Sequence, residues 1–225
     1  EKKAVVDACF QVGIKDVFLI EEPMAAAIGS DLPIEMPKGN MVVDIGGGTT
    51  EVAIISLSAT AYSESLRVAG SEIDESIIRY LQKKYQVAIG SIAAEKIKIE
   101  AASVLPMEDK GDPISIVGKD MFTGIPRNLK IPRDEIREAI EEPVSAIIDS
   151  VKRALEKLPP EFVSDLHEAG MVLTGGGAML KGLNKRIEAE TDIRVRVVDD
   201  PLFSVVLGSG RAIEDMGRYK KVFIN

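Results

Sequence analysis

The sequence predicts an α/β fold, because short apolar runs alternate with segments of helical periodicity along most of its 225 residues. Two of the apolar runs end in three consecutive glycines, at 46–48 and at 175–177. A chain of this length can bury one large core or two modest ones. Because each triplet ends an apolar run, the two triplets are candidate positions for a ligand at the edge of an α/β core.

The composition is that of an ordinary globular protein, with 45% hydrophobic and 28% charged residues. The net charge of −8 would repel a polyanion, so we expect no nucleic-acid partner. No apolar run reaches the roughly 18 residues that a membrane-spanning helix needs.

The single cysteine, Cys9, and the single histidine, His167, exclude an internal disulfide and a Cys/His zinc cluster. Cys9 falls on the apolar face of a predicted helix, so we expect a buried, inert thiol. His167 is predicted to be a surface residue, which leaves a Ser-His-Asp mechanism with poor support. A content of one cysteine is typical of a protein in a reducing, cytosolic compartment.

Periodicity and turn residues place the other elements. Apolar runs predict strands at 17–20, 171–174 and 195–198, and a small insertion with strands at 107–130. Helical spacing predicts helices at 4–12, after Pro23, at 73–81, at 91–104 with Ser91 as its cap, at 134–158, from about 178, and after Pro201. We expect Pro143 to kink the helix over 134–158 or to split it in two.

The first triplet joins a strand to a strand, because 50–56 keeps an extended, β-branched character. This excludes Rossmann and Walker loops, which both lead from a strand into a helix. A hairpin tip without side chains lets backbone amides approach an anion, and Thr49 and Thr50 add hydroxyl groups. Asp44, at the end of the incoming strand, is suited to hold Mg²⁺ through water. A glycine-rich hairpin with Asp44 as a turn residue fits the pattern equally well.

The second triplet is predicted to join a strand to a helix. Its glycines would let a flat ring or a ribose pack against the backbone at the start of that helix. A tight turn with a close crossing of helix and strand is the other interpretation, and the pattern alone favours it.

Two further groups of charged residues are candidates for chemistry. Glu22 follows a strand and precedes a helix that starts with a proline, so its carboxylate could orient an attacking water. The commoner role there is a partner of the helix dipole, and the pattern does not separate Glu22 from Glu21. Glu95 and Lys98 lie on one helix face and could grip a ribose, although simple i,i+3 surface pairing is the commoner explanation.

Together these segments resemble the actin-like ATPases, a superfamily that includes the seventy-kilodalton heat-shock chaperones and the sugar kinases. Within it, the chain is similar to the MreB family of bacterial actins, the rod-shape-determining proteins. The resemblance covers nearly the whole chain and is carried, in the family's order, by IEEPMAAAIG at 20–29, NMVVDIGGGTTEVAIISL at 40–57, AEKIKIE at 94–100, PPEFVSD at 159–165 and GMVLTGGGAML at 170–180.

The resemblance implies a fold and a division into domains. The fold would be an actin-like ATPase (ribonuclease H-like) domain, with a mixed sheet flanked by helices and a small α+β insertion subdomain. Residues 1–36 would be the C-terminal part of the first actin-like domain, subdomain IA. Residues 37–225 would be the second domain, IIA, with the IIB insertion at about 72–135.

The resemblance also implies ATP and Mg²⁺ as cofactors and gives the site residues their roles. Asp44 would hold Mg²⁺ through water, and Glu22 would polarise the attacking water with the help of Thr49. The second phosphate hairpin would consist of Gly46, Gly47, Gly48 and Thr49. Contacts to adenosine would come from Glu95, Lys96, Ile97 and Lys98, and from the loop Gly175, Gly176, Gly177 and Ala178. Ser71 stands where relatives often have an aspartate.

The implied function is an ATP-binding, ATP-hydrolysing cytoskeletal protein that polymerises into membrane-associated filaments. Such filaments determine rod shape by organising cell-wall synthesis, in the cytoplasm at the inner face of the cell membrane. The implied partners are further copies of the chain, proteins of the elongation machinery and of cell-wall synthesis, and the membrane, through regions outside these residues. The alternatives are a sugar or metabolite kinase and a non-catalytic ATP-binding scaffold of the same superfamily.

One family motif has no match in these residues. The first phosphate hairpin, an Asp-x-Gly-Thr motif, has no counterpart besides the variant that begins at Asp44. We therefore expect the chain to begin late in the first domain. Since phosphoryl transfer needs both hairpins around the nucleotide, we also expect this chain alone to hydrolyse ATP little or not at all.

Overall fold

The computed structural model describes residues 2–106 and 111–224. The strands are β1 (Leu19–Ile20), β2 (Asn40–Ile45), β3 (Thr50–Ser56), β4 (Ala59–Leu66), β5 (Val87–Ala88), β6 (Ile114–Asp120), β7 (Pro126–Ile131), β8 (Met171–Thr174), β9 (Val195–Val197) and β10 (Phe223–Ile224). The α-helices are α1 (Lys2–Gln11), α2 (Glu22–Gly29), α3 (Gly70–Tyr85), α4 (Ser91–Ala101), α5 (Arg133–Glu156), α6 (Val163–Ala169), α7 (Leu183–Thr191) and α8 (Ser204–Glu214).

The central feature is a five-stranded mixed sheet in the order β4-β3-β2-β8-β9. Strands β2, β3 and β4 form an antiparallel meander, whereas β8 and β9 run parallel to β2. Because parallel neighbours end at the same edge of a sheet, the residues after β2 and those after β8 emerge side by side.

The two faces of this sheet carry separate cores, because successive side chains of a strand point to opposite faces. Met41, Val43 and Ile45 of β2 belong to a large core with α3, α4 and α5. Val42 of β2 belongs to the second core, with α2 and the C-terminal residues. Asp44 shares the face of Val42, so the alternation directs its side chain toward α2.

Helices α2 and α8 cross closely on that second face. A Cβ on Gly29 would collide with the carbonyl oxygen of Ser204, and a Cβ on Gly208 would collide with that of Ala25. The two glycines therefore allow the backbones of α2 and α8 to touch.

A separate three-stranded sheet, in the order β5-β6-β7, lies within the range predicted for the insertion. Residues 107–110 of that range lie outside the described residues. No helix in the described part of the chain has both the length and the apolar character to cross a membrane.

Several predicted elements differ in the structure. The helix predicted at 4–12 exists as α1, but none of its residues is buried, and Cys9 is half-buried instead of enclosed. Phe10 in this helix and Val12 just after it are exposed. The strand predicted at 17–20 is shortened to the two residues of β1, paired with β10.

Helix boundaries were also partly wrong. Gly90, not Ser91, is the N-cap of α4, and the helix ends at Ala101, because the residue that follows it is extended. Helix α5 continues through Pro143 and is not split. Its ten buried residues contribute enough burial to offset the roughly 3 kcal/mol that an internal proline costs.

The helix predicted from about 178 begins later. The second triplet itself begins a 3₁₀ turn at Gly176–Met179, and α7 starts only at Leu183. Gly182, with a φ of 81°, redirects the chain between them. The edge strand β4 was not predicted, since its small polar residues form no apolar run.

Candidate functional site

The first glycine triplet forms the tip of the β2–β3 hairpin, as predicted. The Gly46 amide donates to the Thr49 carbonyl oxygen at 2.9 Å, which closes a tight turn. A Cβ on Gly47 or Gly48 would have no heavy atom within 4 Å, so the tip is open backbone. Within the described residues, the amides of Gly47, Gly48 and Thr49 have no acceptor. Unpaired amides on an exposed tip are suited to bind an anion.

The start of helix α3 supports this tip from behind. The Gly70 amide donates to the Gly46 carbonyl oxygen at 3.1 Å, and the Ser71 amide donates to the Gly47 carbonyl oxygen at 2.8 Å. The hairpin is thus attached to the rest of the molecule through its carbonyl groups, which leaves its amides for another partner.

The second triplet lies against the end of β2. Strand pairing places Thr174, which precedes this triplet, beside Asp44. Gly175 has a φ of 79°, and a Cβ on it would collide with Asp44 Oδ1 and with the Ile45 carbonyl oxygen. A Cβ on Gly177 would collide with the Ile45 side chain. These glycines are therefore required by packing, which agrees with the close-crossing interpretation.

Asp44 is the centre of an acidic cluster. Its side chain is almost completely buried, at 5% exposure, and lies opposite Glu51 in the hairpin register. Burial raises the pKa of Asp44 to about 6, with smaller contributions from the charges of Glu22 and Glu51. The pKa of Glu51 is also raised, first by burial and then by Glu22 and Glu21.

The structure distinguishes Glu21 from Glu22, which the sequence pattern could not do. Glu21 is the N-cap residue of α2, and its Oε2 accepts a hydrogen bond from Thr60 Oγ1 at 2.7 Å. Glu22 is exposed and has no hydrogen-bond partner among the described side chains, yet its charge acts on both Asp44 and Glu51. Both glutamates act electrostatically on Glu51, and Glu22 is the one whose carboxylate has no hydrogen bond within the described residues.

The negative charge of this cluster is not compensated within the described residues. No lysine or arginine there forms an ion pair with Glu22, Asp44 or Glu51. The same residues contain no cage of three or more His, Cys, Asp or Glu side chains around a metal position. Asp44 offers one carboxylate, and Mg²⁺ is often held by one or two carboxylates together with water.

A cavity of about 430 Å³ adjoins Glu21, Glu22 and Glu51. Its apolar wall comes from α1, β1 and β10, through Val5, Leu19, Ile20 and Ile224. Neither glycine triplet lines this cavity, so it is distinct from the hairpin tip.

The predicted adenosine stretch on α4 is only partly available to a ligand. Ile97 is buried in the large core, and Lys96 is exposed and pairs with Glu100 at 3.8 Å. The side chain of Lys98 donates to Asp74 Oδ2 at 2.9 Å and to the Gly70 carbonyl oxygen at 3.1 Å. The i,i+3 pair of Glu95 with Lys98 is therefore not formed. Burial raises the pKa of nearby Asp74 against the opposing effect of Lys98, and the charge of the exposed Glu95 adds to the rise.

Two residues of this region were missed in the sequence. Glu51 could have been found, because a four-residue turn in the hairpin places it opposite Asp44. Asp74 carries no such signal, since its contact with Lys98 joins α3 to α4 only in the folded chain.

The sequence matches known proteins over nearly its whole length. A sequence model described as MreB/Mbl protein matches residues 1–221. Cell shape-determining protein MreB of Escherichia coli (strain K12) is 47% identical over 214 residues, which cover 95% of this chain and 61% of that protein. Mbl of Bacillus subtilis (strain 168) is 41% identical over 221 residues, which cover 98% of this chain and 66% of that protein. The chain thus spans less than two thirds of the length of these relatives.

Solved structures agree with the fold. MreB5 of Spiroplasma citri, in a crystal structure bound to ADP, superposes with a TM-score of 0.93 at 32% identity, over 98% of this chain and 67% of that one. The MamK double helical filament gives 0.76 at 22% identity, over 94% and 64%, which shows the fold alone. The predicted α/β, actin-like fold with a mixed sheet flanked by helices is confirmed.

Proposed function

The chain belongs to the MreB/Mbl family, and from that premise we propose that it binds ATP with Mg²⁺ as part of a filament-forming, ATP-hydrolysing cytoskeletal protein that determines rod cell shape. The observation that carries the proposal is the edge where β2 and β8 end together. Open amides on one hairpin, a buried carboxylate without a cationic partner and a second glycine loop meet there.

The phosphates would be held at the hairpin. The amides of Gly47, Gly48 and Thr49 have no partner among the described residues and lie at an exposed tip, which is what close approach to an anion requires. Asp44 would hold Mg²⁺ through water, and the ion would supply positive charge that neutralises the phosphate oxygens. A cation near Asp44 would favour the ionised carboxylate and so oppose the burial that raises its pKa.

The attacking water would be oriented by Glu22. This carboxylate is exposed, is not engaged by a hydrogen bond within the described residues and acts electrostatically on the same cluster as Asp44. Thr49, half-buried at the hairpin tip, would assist through its hydroxyl group. Positioning and electrostatic stabilisation of this kind account for most of the catalysis in phosphoryl transfer.

The adenosine would lie between the second glycine loop and α4. We propose contacts with the backbone of Gly175, Gly176, Gly177 and Ala178, and with α4 through Glu95 and Lys96. The buried side chain of Ile97 would shape this wall from inside the core, and the role of Lys98 is developed below. The MreB5 structure bound to ADP supports nucleotide binding by this fold.

The larger assembly is also part of the proposal. Residues 1–36 would belong to subdomain IA and 37–225 to IIA, with IIB at about 72–135. Self-association into filaments is part of what membership of the MreB/Mbl family implies. In a whole protein of this family we propose filaments at the inner face of the cell membrane, with partners in the elongation machinery and in cell-wall synthesis. Family membership disfavours the sugar-kinase alternative.

Nucleotide binding tests the proposal directly. Titration of the 225-residue chain with ADP and Mg²⁺ in a calorimeter should show binding, and Asp44→Ala should weaken it by about 10-fold or more, since a Mg²⁺ contact is lost. Asp149→Ala is the matched control, because Asp149 is an exposed aspartate on α5. No binding by the unsubstituted chain, or equal affinity in Asp44→Ala, would contradict the proposal.

A further inference from the structure

The attachment of the hairpin to α3 determines the direction of its free amides. The carbonyl groups of Gly46 and Gly47 both accept hydrogen bonds from the first amides of α3. No peptide bond in the described residues is cis. In a trans peptide the C=O and the following N–H point in opposite directions. The amides of Gly47 and Gly48 therefore point away from α3, together and outward.

The start of α3 is in turn held by a lysine from another helix. Lys98 Nζ donates to the Gly70 carbonyl oxygen at 3.1 Å and to Asp74 Oδ2 at 2.9 Å. The side chains of Lys98 and Asp74 are only 17% and 14% exposed, so solvent screens this pair weakly. The lysine thus joins α4 to the first turn of α3.

These contacts form one continuous chain of hydrogen bonds. The peptide group between Gly70 and Ser71 accepts from Lys98 through its oxygen and donates to Gly47 through its N–H. The peptide group between Gly47 and Gly48 accepts that bond and directs the Gly48 N–H outward. The charged Lys98 Nζ is therefore at one end of these two hydrogen-bonded peptide groups, and the Gly48 amide, which has no acceptor among the described residues, is at the other.

We propose that Lys98 is a positioning residue for the phosphate hairpin, which it orients and polarises through these two peptide groups, and that Asp74 holds Lys98 in place. The proposal deepens the nucleotide-binding function proposed above and rests on it. It assigns Lys98 an effect on the phosphates without contact, whereas the family resemblance implied a contact with adenosine.

Physical chemistry supports an effect of this kind. Hydrogen bonds in a chain strengthen one another by about 10–30% each, and a bond from a charged donor is about twice as strong as a neutral one. Gly70 is also suited to its place, because a Cβ there would lie 3.3 Å from the Gly46 carbonyl oxygen and 3.5 Å from Lys98 Nζ. Asp74 Oδ1 is buried without a hydrogen-bond partner in the described part of the chain. Among the described residues, Lys98 is the side chain that binds this carboxylate, through Oδ2.

The test compares ligands with and without phosphates. Lys98→Met removes the charge and the donor atom but keeps an unbranched side chain that is only one atom shorter. We expect its affinity for ADP with Mg²⁺ to fall by about 10-fold, and its affinity for adenosine to change by less than about 2-fold. Lys83→Met, on the exposed C-terminal part of α3, is the matched control and should leave both affinities unchanged.

The outcomes separate the two proposals. If both affinities of Lys98→Met fall by the same factor, the lysine contacts the nucleoside and the inference is overturned. It is also overturned if neither affinity changes. If the unsubstituted chain binds adenosine but gains nothing from phosphates, the phosphate site itself is wrong, and the proposed function fails before Lys98 is tested.

A second measurement does not depend on nucleotide. In the chain without ligand, Asp74→Asn should shift the amide proton of Gly48 to lower frequency in an NMR spectrum, because a less firmly held lysine polarises the peptide chain less. Glu75→Gln, the exposed neighbour on α3, should leave that resonance in place. An unchanged Gly48 resonance in Asp74→Asn, in a spectrum that otherwise shows a folded chain, would overturn the inference.

Discussion

The two glycine triplets have the same sequence and lie at the same edge of one sheet, but their surroundings are opposite. At 46–48 none of the glycines has a positive φ, and two of them face open space. At 175–177 the first glycine has a φ of 79°, and the first and third contact the end of β2 so closely that a Cβ would collide. The backbone of the first triplet is open to solvent, whereas the second triplet lets the chain pack closely against the end of β2.

This difference shows that one motif can have two physical causes. A glycine at an open tip is explained by what must approach from outside, because the protein itself would tolerate a side chain there. A glycine in a packed turn is explained by the fold, because the protein would reject the side chain with or without a ligand. Substitutions to alanine separate the two causes, since they add only one methyl group.

The largest expected effect is at Gly175. Gly175→Ala combines a left-handed backbone conformation with a collision at Asp44 and Ile45, so it should lower the free energy of unfolding by about 3 kcal/mol or more. Urea denaturation followed by circular dichroism would measure the loss. Gly176→Ala is the control, because its Cβ would meet only the flexible end of Leu202, at 3.1 Å. Equal stability of the two variants would show that the second triplet is as open as the first.

The next effect concerns the carboxylate between the triplets. Because the folded state raises the pKa of Asp44 from 3.8 to about 6, the folded state binds more protons than the unfolded state between those values. The free energy of unfolding must therefore fall as pH rises through this window. Asp44→Asn removes the effect, so without ligand it should be more stable than the unsubstituted chain at pH 8, by about 2 to 3 kcal/mol.

The comparison is made by thermal or urea unfolding at pH 8 and at pH 4, without added divalent cations. The advantage of Asp44→Asn should shrink toward zero near pH 4, where the aspartate of the unsubstituted chain is mostly protonated when folded. Glu35→Gln is a useful contrast, since its exposed carboxylate pairs with Arg218 and its pKa is lowered instead. An Asp44→Asn chain that is less stable at pH 8 would mean that a partner already compensates this carboxylate.

The smallest effect on stability is expected at Gly47. Gly47→Ala places a methyl group in open space without a positive φ, so the free energy of unfolding should change by less than about 1 kcal/mol. The affinity for ADP should nevertheless fall, because the methyl group lies where phosphate oxygens would approach the backbone. A large loss of stability would show that the two triplets do not differ in packing. An unchanged affinity for ADP would show that the phosphates do not bind at this tip.

Much of the fold could be predicted because its signals are local. Both strands of the first hairpin, β8, and the helices after Pro23 and Pro201 follow from apolar runs, glycines and prolines in short stretches. The candidate residues Asp44 and Glu22 were found in the same way. Strand β4 was missed because its sequence, ATAYSESL, contains no continuous apolar run, and Cys9 of α1 was expected to be buried because the pattern shows an apolar face but not its partner.

The sequence by itself therefore determined where the chain turns, which strand ends carry glycine, and which family the segments resemble, since each of these depends on a few neighbouring residues. Only the tertiary structure decided that the two triplets meet beside Asp44, that Thr60 binds Glu21 and not Glu22, and that Lys98 contacts the first turn of α3. These facts depend on strand register and on helix contacts between residues far apart in the chain. Such contacts exist only once burial of the core has fixed the elements against one another.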